Sequence, residues 1–377
     1  MAATAIQSCF LHRSQRARSN AREANPLPFI EEGQTFRELG ILKRERLSYF
    51  STHESEEINL LHDRVIARCL QLSILALKGQ GMGQPPVPFA LLLFGSGGRQ
   101  EQSLVSDQDH GLIYDLPMQS APEQIRQLHD YFRELAAVFV AGLEEAGYPP
   151  CHGNVVCTNE RWRRSLDGWK QDLDSWYDDP TWENMRHLLM VSDARCIVGD
   201  LHLFQQFSFH LHRLIQKQPR LTERLISNTL HHRVPLGWFG HIYKEAHGKY
   251  QGAVNIKNGL YLPLVNSVRL WALVNGASAT STLERLRFLE ERSIWPKALC
   301  QEVCQHFRFA LSLRLMACCQ WHDGDYLSNS YLKADSLTKE SWRLLRNAMR
   351  TALDLQKKTA ELTSQPSLPS HETRMLP

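Results

Sequence analysis

The sequence predicts an α+β protein: a small mixed sheet flanked by N-terminal helices and a larger C-terminal helical bundle. Three observations carry this reading. Phe89 to Phe94 is a short, continuous apolar run that stops at Gly95-Ser96-Gly97-Gly98, the pattern of a buried strand feeding a tight turn. On both sides of that run, apolar residues recur every three to four positions, as helices require. No segment approaches the roughly 20 consecutive apolar residues of a membrane helix, so these elements must bury one another.

Five stretches follow in order. Residues 1–28 are expected to be a disordered basic tail, because the first 22 residues hold Arg13, Arg16, Arg18 and Arg22 and no acid. The same composition is permitted in an organelle transit peptide. Residues 29–84 are expected to be helical, with Ile58, Leu61, Val65, Cys69, Leu72 and Leu75 on one face. Ser51, Thr52 and His53, followed by Glu54, Glu56 and Glu57, supply capping groups and negative charge at that helix start. Gly79 to Pro86 then breaks the pattern.

Residues 85–205 are expected to form the sheet-bearing unit. Its second strand covers Asp109 to Tyr114, a helix covers Pro122 to Gly147, and Gly153 to Thr158 is a third candidate strand. Beyond Glu160 the chain reads as helical almost to its end. Residues 206–363 form a helical domain and 364–377, with three prolines, a disordered tail.

Composition limits the function. The formal net charge of +3 is too small to suggest nucleic acid as a partner on electrostatic grounds, and no membrane partner is expected. The nine cysteines are odd in number and scattered, which argues against a disulfide framework and favours a reducing, cytoplasmic location. Cys300 and Cys304 with His306 have the look of a metal site. They also recur with Phe307 and Leu311 at helical spacing, and helix packing is the reading preferred. Adjacent His231 and His232 match no metal motif and read as surface or packing residues.

Chemistry is concentrated in Phe94-Gly-Ser-Gly-Gly-Arg-Gln-Glu-Gln-Ser-Leu-Val-Ser-Asp-Gln-Asp109. A glycine turn after a strand can converge backbone N–H groups on phosphate. Ser96 adds a hydroxyl and Arg99 a planar cation. Asp107 and Asp109, at i and i+2 on entry to a strand, should project to one side. Two facing carboxylates repel, and a divalent cation relieves this, Mg2+ (or Mn2+) being commonly held by one or two carboxylates plus substrate phosphates. Asp107 and Asp109 are the candidate catalytic and metal-binding pair. Gly95, Ser96, Arg99, Glu101, Ser106 and Lys257 form the candidate nucleotide-binding set, Glu101 orienting the turn.

The segment GSGGRQEQSLVSDQDHGLIYD resembles the signature of protein-PII uridylyltransferases, which carry a nucleotidyltransferase domain of the polymerase-β type. It is closer to a family of nucleotidyltransferases often fused to CBS domains, in which Gly95, Ser96, Arg99, Glu101, Gln102, Asp107, Gln108 and Asp109 all match. The resemblance continues through Gly147-Tyr148-Pro149, Cys151, Gly153-Asn154-Val155, Trp162-Arg163, Ser165-Leu166, Trp169, Asp193, Arg195 and Gly199-Asp200. Asn255 to Arg269 and Thr282 to Leu286 resemble the family's C-terminal substrate-binding helices. It implies transfer of a nucleoside monophosphate from an NTP to an acceptor hydroxyl, releasing pyrophosphate. The implied acceptor is a protein, as in uridylylation of a PII-type regulator in nitrogen signalling. A catalytically weak nucleotide sensor is the alternative.

Several departures stand out. The sequence contains no CBS pair and no HD hydrolase or ACT domain. Asn255 and Asn258 stand where relatives often have Asp and Lys. The third carboxylate usual in polymerase-β-type enzymes has no counterpart between Gly153 and Thr158, and only Asp115 and Glu160 lie nearby in sequence. Asp193, Arg195 and Asp200 are left between two readings, a cleft lining or an ion pair with a helix cap.

Overall fold

The computed structural model describes residue 30 and residues 33–364, apart from residues 51–53, 118, 120, 152, 217, 218, 319, 320, 323, 324, 327 and 328. Both expected tails, apart from Ser364, and the capping residues Ser51 to His53 lie outside the described residues.

Helices α1 (Phe36–Leu47) and α2 (Ser55–Gly79) open the fold. Thr35 and Glu38 form a reciprocal capping box at α1. The expected apolar face of α2 is buried except for Leu75, which is 53% exposed. Strand β1 (Phe89–Leu93) pairs antiparallel with β2 (His110–Tyr114), matching Phe89 to Tyr114 and Leu93 to His110.

Two further strands depart from expectation. β3 is Arg163–Ser165, parallel to β2, and β4 is Arg195–Gly199, antiparallel to β1, giving the order β3-β2-β1-β4. The segment 153–158 is a loop rather than a strand. Val155 and Cys157 are buried there, which explains their strand-like apolarity, but the backbone bond between His110 N and Val155 O is not extended into a ladder. β3 and β4 are short and polar at their starts, so neither shows a strand period.

The sheet is buried on both faces, which is why β1 is continuously apolar. Leu91, Leu93, Leu112 and Tyr114 face a core shared with α1, α2 and α3 (Pro122–Glu145). Ala90, Leu92, Phe94 and Ile113 face a second core, with α4 (Leu166–Asp178), α5 (Trp182–Val191) and α6 (Leu201–Gln216). Successive strand residues point to opposite faces, and the two cores divide accordingly. α6 runs unbroken through residues 205 and 206, where the sequence reading divides two domains, because Leu203, Phe207, Leu211 and Leu214 form one buried stripe.

α7 (Pro219–Thr229) leads to the C-terminal bundle of α8 (Leu262–Val274), α9 (Thr282–Glu291), α10 (Lys297–Cys318) and α11 (Lys339–Ala360), which has its own core. Cys300, Phe307 and Cys304 do lie on one helix, α10, with Cys300 and Phe307 buried. Among the described residues no helix is long and apolar enough to cross a membrane.

Candidate active site

The site is built on the connection out of β1. Gly95–Gly98 forms one helical turn, closed by Gly98 N donating to Phe94 O at 2.8 Å and Arg99 N to Gly95 O at 3.1 Å. Two of its glycines are required. Gly95 has φ +51°, and a Cβ there would stand 2.6 Å from Oδ2 of Asp109. A Cβ on Gly98 would stand 1.8 Å from the backbone oxygen of Asp193.

The turn is held from several parts of the chain. Arg195 donates to Gly97 O at 2.8 Å and grips both carboxylate oxygens of Asp63 on α2, at 2.8 and 2.9 Å. Thr280 donates its hydroxyl to Gly98 O at 3.0 Å. Gln102 N donates to Asn59 Oδ1 at 2.8 Å, and Gln102 Nε2 to Ser106 Oγ at 3.1 Å. Ser106 is thus buried behind the turn, in the role of a support.

Asp107 and Asp109 precede β2 rather than lying within it, and Phe94 N bonds Asp109 O at 2.9 Å, extending the pairing of β1 by one residue. Asp109 is half-buried against Gly95. Burial raises its pKa; the neighbouring Asp107 adds to this, while a hydrogen bond from Cys151 Sγ at 3.2 Å and the charges of Lys257 and Arg99 oppose it. The acidic pair and Lys257 therefore share one electrostatic neighbourhood, although 148 residues separate Asp109 from Lys257 in sequence. Lys257 opens the π-type turn Lys257–Tyr261 ahead of α8.

Arg99 and Glu101 are held in the interior of the protein. Arg99 donates to Glu101 Oε2 at 2.8 Å, Asp193 Oδ2 at 2.6 Å and Tyr261 OH at 3.0 Å. Glu101 also accepts from the Tyr261 hydroxyl and, at 3.0 Å, from the Thr282 backbone N–H. Thr282 opens α9, so Glu101 orients the turn by fastening it to the C-terminal helices.

The centre of this network is Asp193, fully buried and contacted by three guanidinium groups: Arg99, Arg269 at 2.9 Å and Arg285 at 2.7 Å. Burial alone would raise its pKa, yet Arg269, Arg99 and Arg285 hold it down at about 2. Of the two readings left open for this segment, the geometry gives the ion cluster. Asp200 caps α6, accepting from His202 N and Leu203 N at 2.8 and 3.1 Å. Asn255 Oδ1 similarly accepts from Asn258 N at 2.9 Å.

Between the turn and helices α5, α7 and α8 lies a cavity of 380 Å3, bordered by Gly95, Arg99, Arg186, His231, His232 and Arg269 among others. His231 and His232 are thus on a cavity wall. Neither Asp115 nor Glu160 reaches this place. Asp115 follows the far end of β2, roughly 20 Å from Asp109 at about 3.3 Å per residue. Glu160 pairs with Arg164 at 3.5 Å.

The glycine turn thus borders a cation-lined cavity whose far side is supplied by α7 and α8, and Asp109 lies against the turn at Gly95. A family model described as "Putative nucleotidyltransferase DUF294" matches residues 52–183. A second, described as "Putative nucleotidyltransferase substrate binding domain", matches residues 219–362. The chain belongs to this family. A search of curated proteins gave no match. The family's activity class is nucleotidyl transfer, and its substrate-binding domain corresponds to the helices from α7 to α11. Tyr261, Arg269 and Arg285, which fasten that domain to the turn, were not singled out from sequence. Their polar heads carry no local signal of this role, because the groups they reach at the turn and at Asp193 lie at least 76 positions away.

Proposed function

We propose that the chain transfers a nucleoside monophosphate from an NTP to an acceptor hydroxyl and releases pyrophosphate. The observation that carries this reading is the contact of the Asp109 carboxylate with Gly95, which brings an acidic group and a potential phosphate cradle together. The first N–H groups of a helical turn have no partner within it, so those of the glycine turn are available to an anion.

The donor set fits a divalent cation, Mg2+ or Mn2+. Among the described residues no group of three or more His, Cys, Asp or Glu side chains is arranged to hold a metal, so Asp107 and Asp109 would share the ion with phosphate oxygens. Such an ion supplies charge stabilisation to an in-line displacement. The raised pKa of Asp109 agrees, since a cation offsets both burial and the charge of Asp107. Asp107 and Asp109 orient the reacting phosphate, Lys257 contributes positive charge beside them, and the C-terminal helices form one wall of the cavity. Similarity to the uridylyltransferase signature favours a protein hydroxyl as acceptor, as on a PII-type regulator.

The test is incubation with each α-labelled NTP and cell extract, in Mg2+ and in EDTA. Metal-dependent label on a macromolecule, with matching pyrophosphate release, is the expected result. No label and no pyrophosphate with any NTP would overturn the reading. A nucleotide sensor is the second reading, favoured by the loop 153–158, which reaches the site without contributing an acid.

A further inference from the structure

Three arginines border the cavity beside the glycine turn, and only one is free to meet a ligand. Arg99 is buried and divided among Glu101, Asp193 and Tyr261. Arg269 is buried too, donating to Asp193 Oδ2, Leu189 O at 3.1 Å and Asn266 Oδ1 at 3.0 Å. Arg186, on α5, is exposed and makes no hydrogen bond or ion pair with the described residues. Its nearest acid along the helix, Glu183, is engaged by Arg161 at 2.9 Å.

The position of Arg186 is equally specific. A Cβ built on Gly153 would stand 3.8 Å from Arg186 Nη2 and 3.7 Å from Cys151 Sγ. That same Cys151 thiol donates to Asp109 Oδ1 at 3.2 Å. The guanidinium therefore borders the cavity on the side of Gly153 and Cys151, and Cys151 leads to Asp109, whose carboxylate in turn lies against the cavity-lining Gly95. Lys257 contributes from elsewhere to the same acid.

We infer that Arg186 is the phosphate-binding arginine of this site, taking the β- and γ-phosphates that depart as pyrophosphate. The inference rests on the nucleotidyl transfer proposed above and moves to Arg186 the role that the sequence pattern suggests for Arg99. In the reaction the acceptor oxygen forms a bond to the α-phosphorus, and the bond from that phosphorus to the oxygen bridging to the β-phosphorus breaks. Its electron pair leaves on pyrophosphate, and the acceptor proton passes to water. Negative charge grows on the leaving group, where a planar guanidinium can donate two parallel hydrogen bonds. An arginine already holding carboxylates cannot supply these without leaving a buried charge unpaired.

The experiment measures Mg2+-dependent binding of pyrophosphate, of the four NTPs and of the matching NMPs, to wild type, Arg186→Gln and Arg186→Lys. Arg186→Gln should weaken pyrophosphate and NTP binding on the order of 10–100-fold, as expected for losing hydrogen bonds to a charged group. NMP affinity and the melting temperature should stay at wild-type values, and Arg186→Lys should recover part of the loss. Wild-type-like pyrophosphate and NTP affinity in Arg186→Gln, or equal weakening of NMP and NTP, would overturn the inference. Wild type that binds pyrophosphate through Arg186 but turns over no NTP would uphold this anion site and sink the transfer reading. Turnover that survives Arg186→Gln unchanged would do the reverse.

Discussion

Asp193 and Arg285 meet at 2.7 Å with both side chains fully buried, joining the segment before β4 to helix α9 across 92 positions of sequence. A charge pair so far from water stabilises only while its partners remain, since removing one side strands the other. Asp193→Asn leaves three guanidinium groups facing a neutral amide. It should lower unfolding free energy by about 3–5 kcal/mol. Urea titration of wild type and variant checks this, and a loss below ~1 kcal/mol would show that the cluster is not a clamp.

Acid should unfold the protein well above the pH at which Asp193 titrates. His62 donates from Nε2 to Ser103 O and accepts from the Tyr148 hydroxyl at Nδ1, both at 2.9 Å, so it is neutral. His110 is likewise buried, and burial drives both pKa values down to about 3 from 6.5. Below pH 6.5 the unfolded chain takes up protons that the native one refuses. Stability is therefore fully present above about 6.5 and declines toward 3, at roughly 2.7 kcal/mol per pH unit for two such groups. The slope of unfolding free energy between pH 6 and 4 measures it, and His62→Gln should flatten it by up to about 1.4 kcal/mol per pH unit.

The glycines divide sharply. Gly98→Ala places a methyl 1.8 Å from Asp193 O and 2.8 Å from Leu93 O, two backbone atoms that cannot turn aside. It should disrupt the turn and abolish nucleotide binding. Gly79, the last residue of α2, has nothing within 4 Å of such a methyl, so Gly79→Ala should be neutral or stabilise by up to about 1 kcal/mol. Paired melting curves and NTP titrations compare the two.

Asp109→Asn keeps the shape of the side chain and removes one charge from the proposed metal pair. Transfer should fall on the order of 10²-fold or more, ~3 kcal/mol, with little change in melting temperature. Pyrophosphate release with each NTP reads the loss. Turnover retained in the variant would place the chemistry away from Asp109.

Much of this was legible in the sequence. The strand Phe89 to Leu93, the glycine turn and the acidic pair announce themselves because each obeys a local rule: continuous apolarity, glycine where φ is positive, paired charge ahead of a strand. β3 and β4 were hidden because three to five residues, beginning Arg163 and Arg195, are too short and too polar to show alternation. The misread strand at 153–158 shows the converse, since burial of Val155 and Cys157 gives the composition of a strand without its ladder. The division of labour among arginines could not be read at all. Arg99 carries the motif, Arg186 is one cation on an ordinary helix, and only the partners of each, distant in sequence, separate them.

The cluster around Asp193 also bears on how the protein comes into being. Its members are Arg99, Asp193, Arg269 and Arg285, spread over half of the chain. Contacts of such long sequence separation form late, after the loops between them have closed. On the ribosome, a nascent chain that has emerged through β4 already carries the glycine turn and both acids of the site, but its Asp193 still awaits two of three cations. The turn's fastening to the C-terminal helices, through Tyr261, Thr280 and Thr282, waits until residues near 285 have cleared the exit tunnel. Synthesis therefore sets the order in which the molecule matures, with the binding bundle, made last, completing the site encoded first.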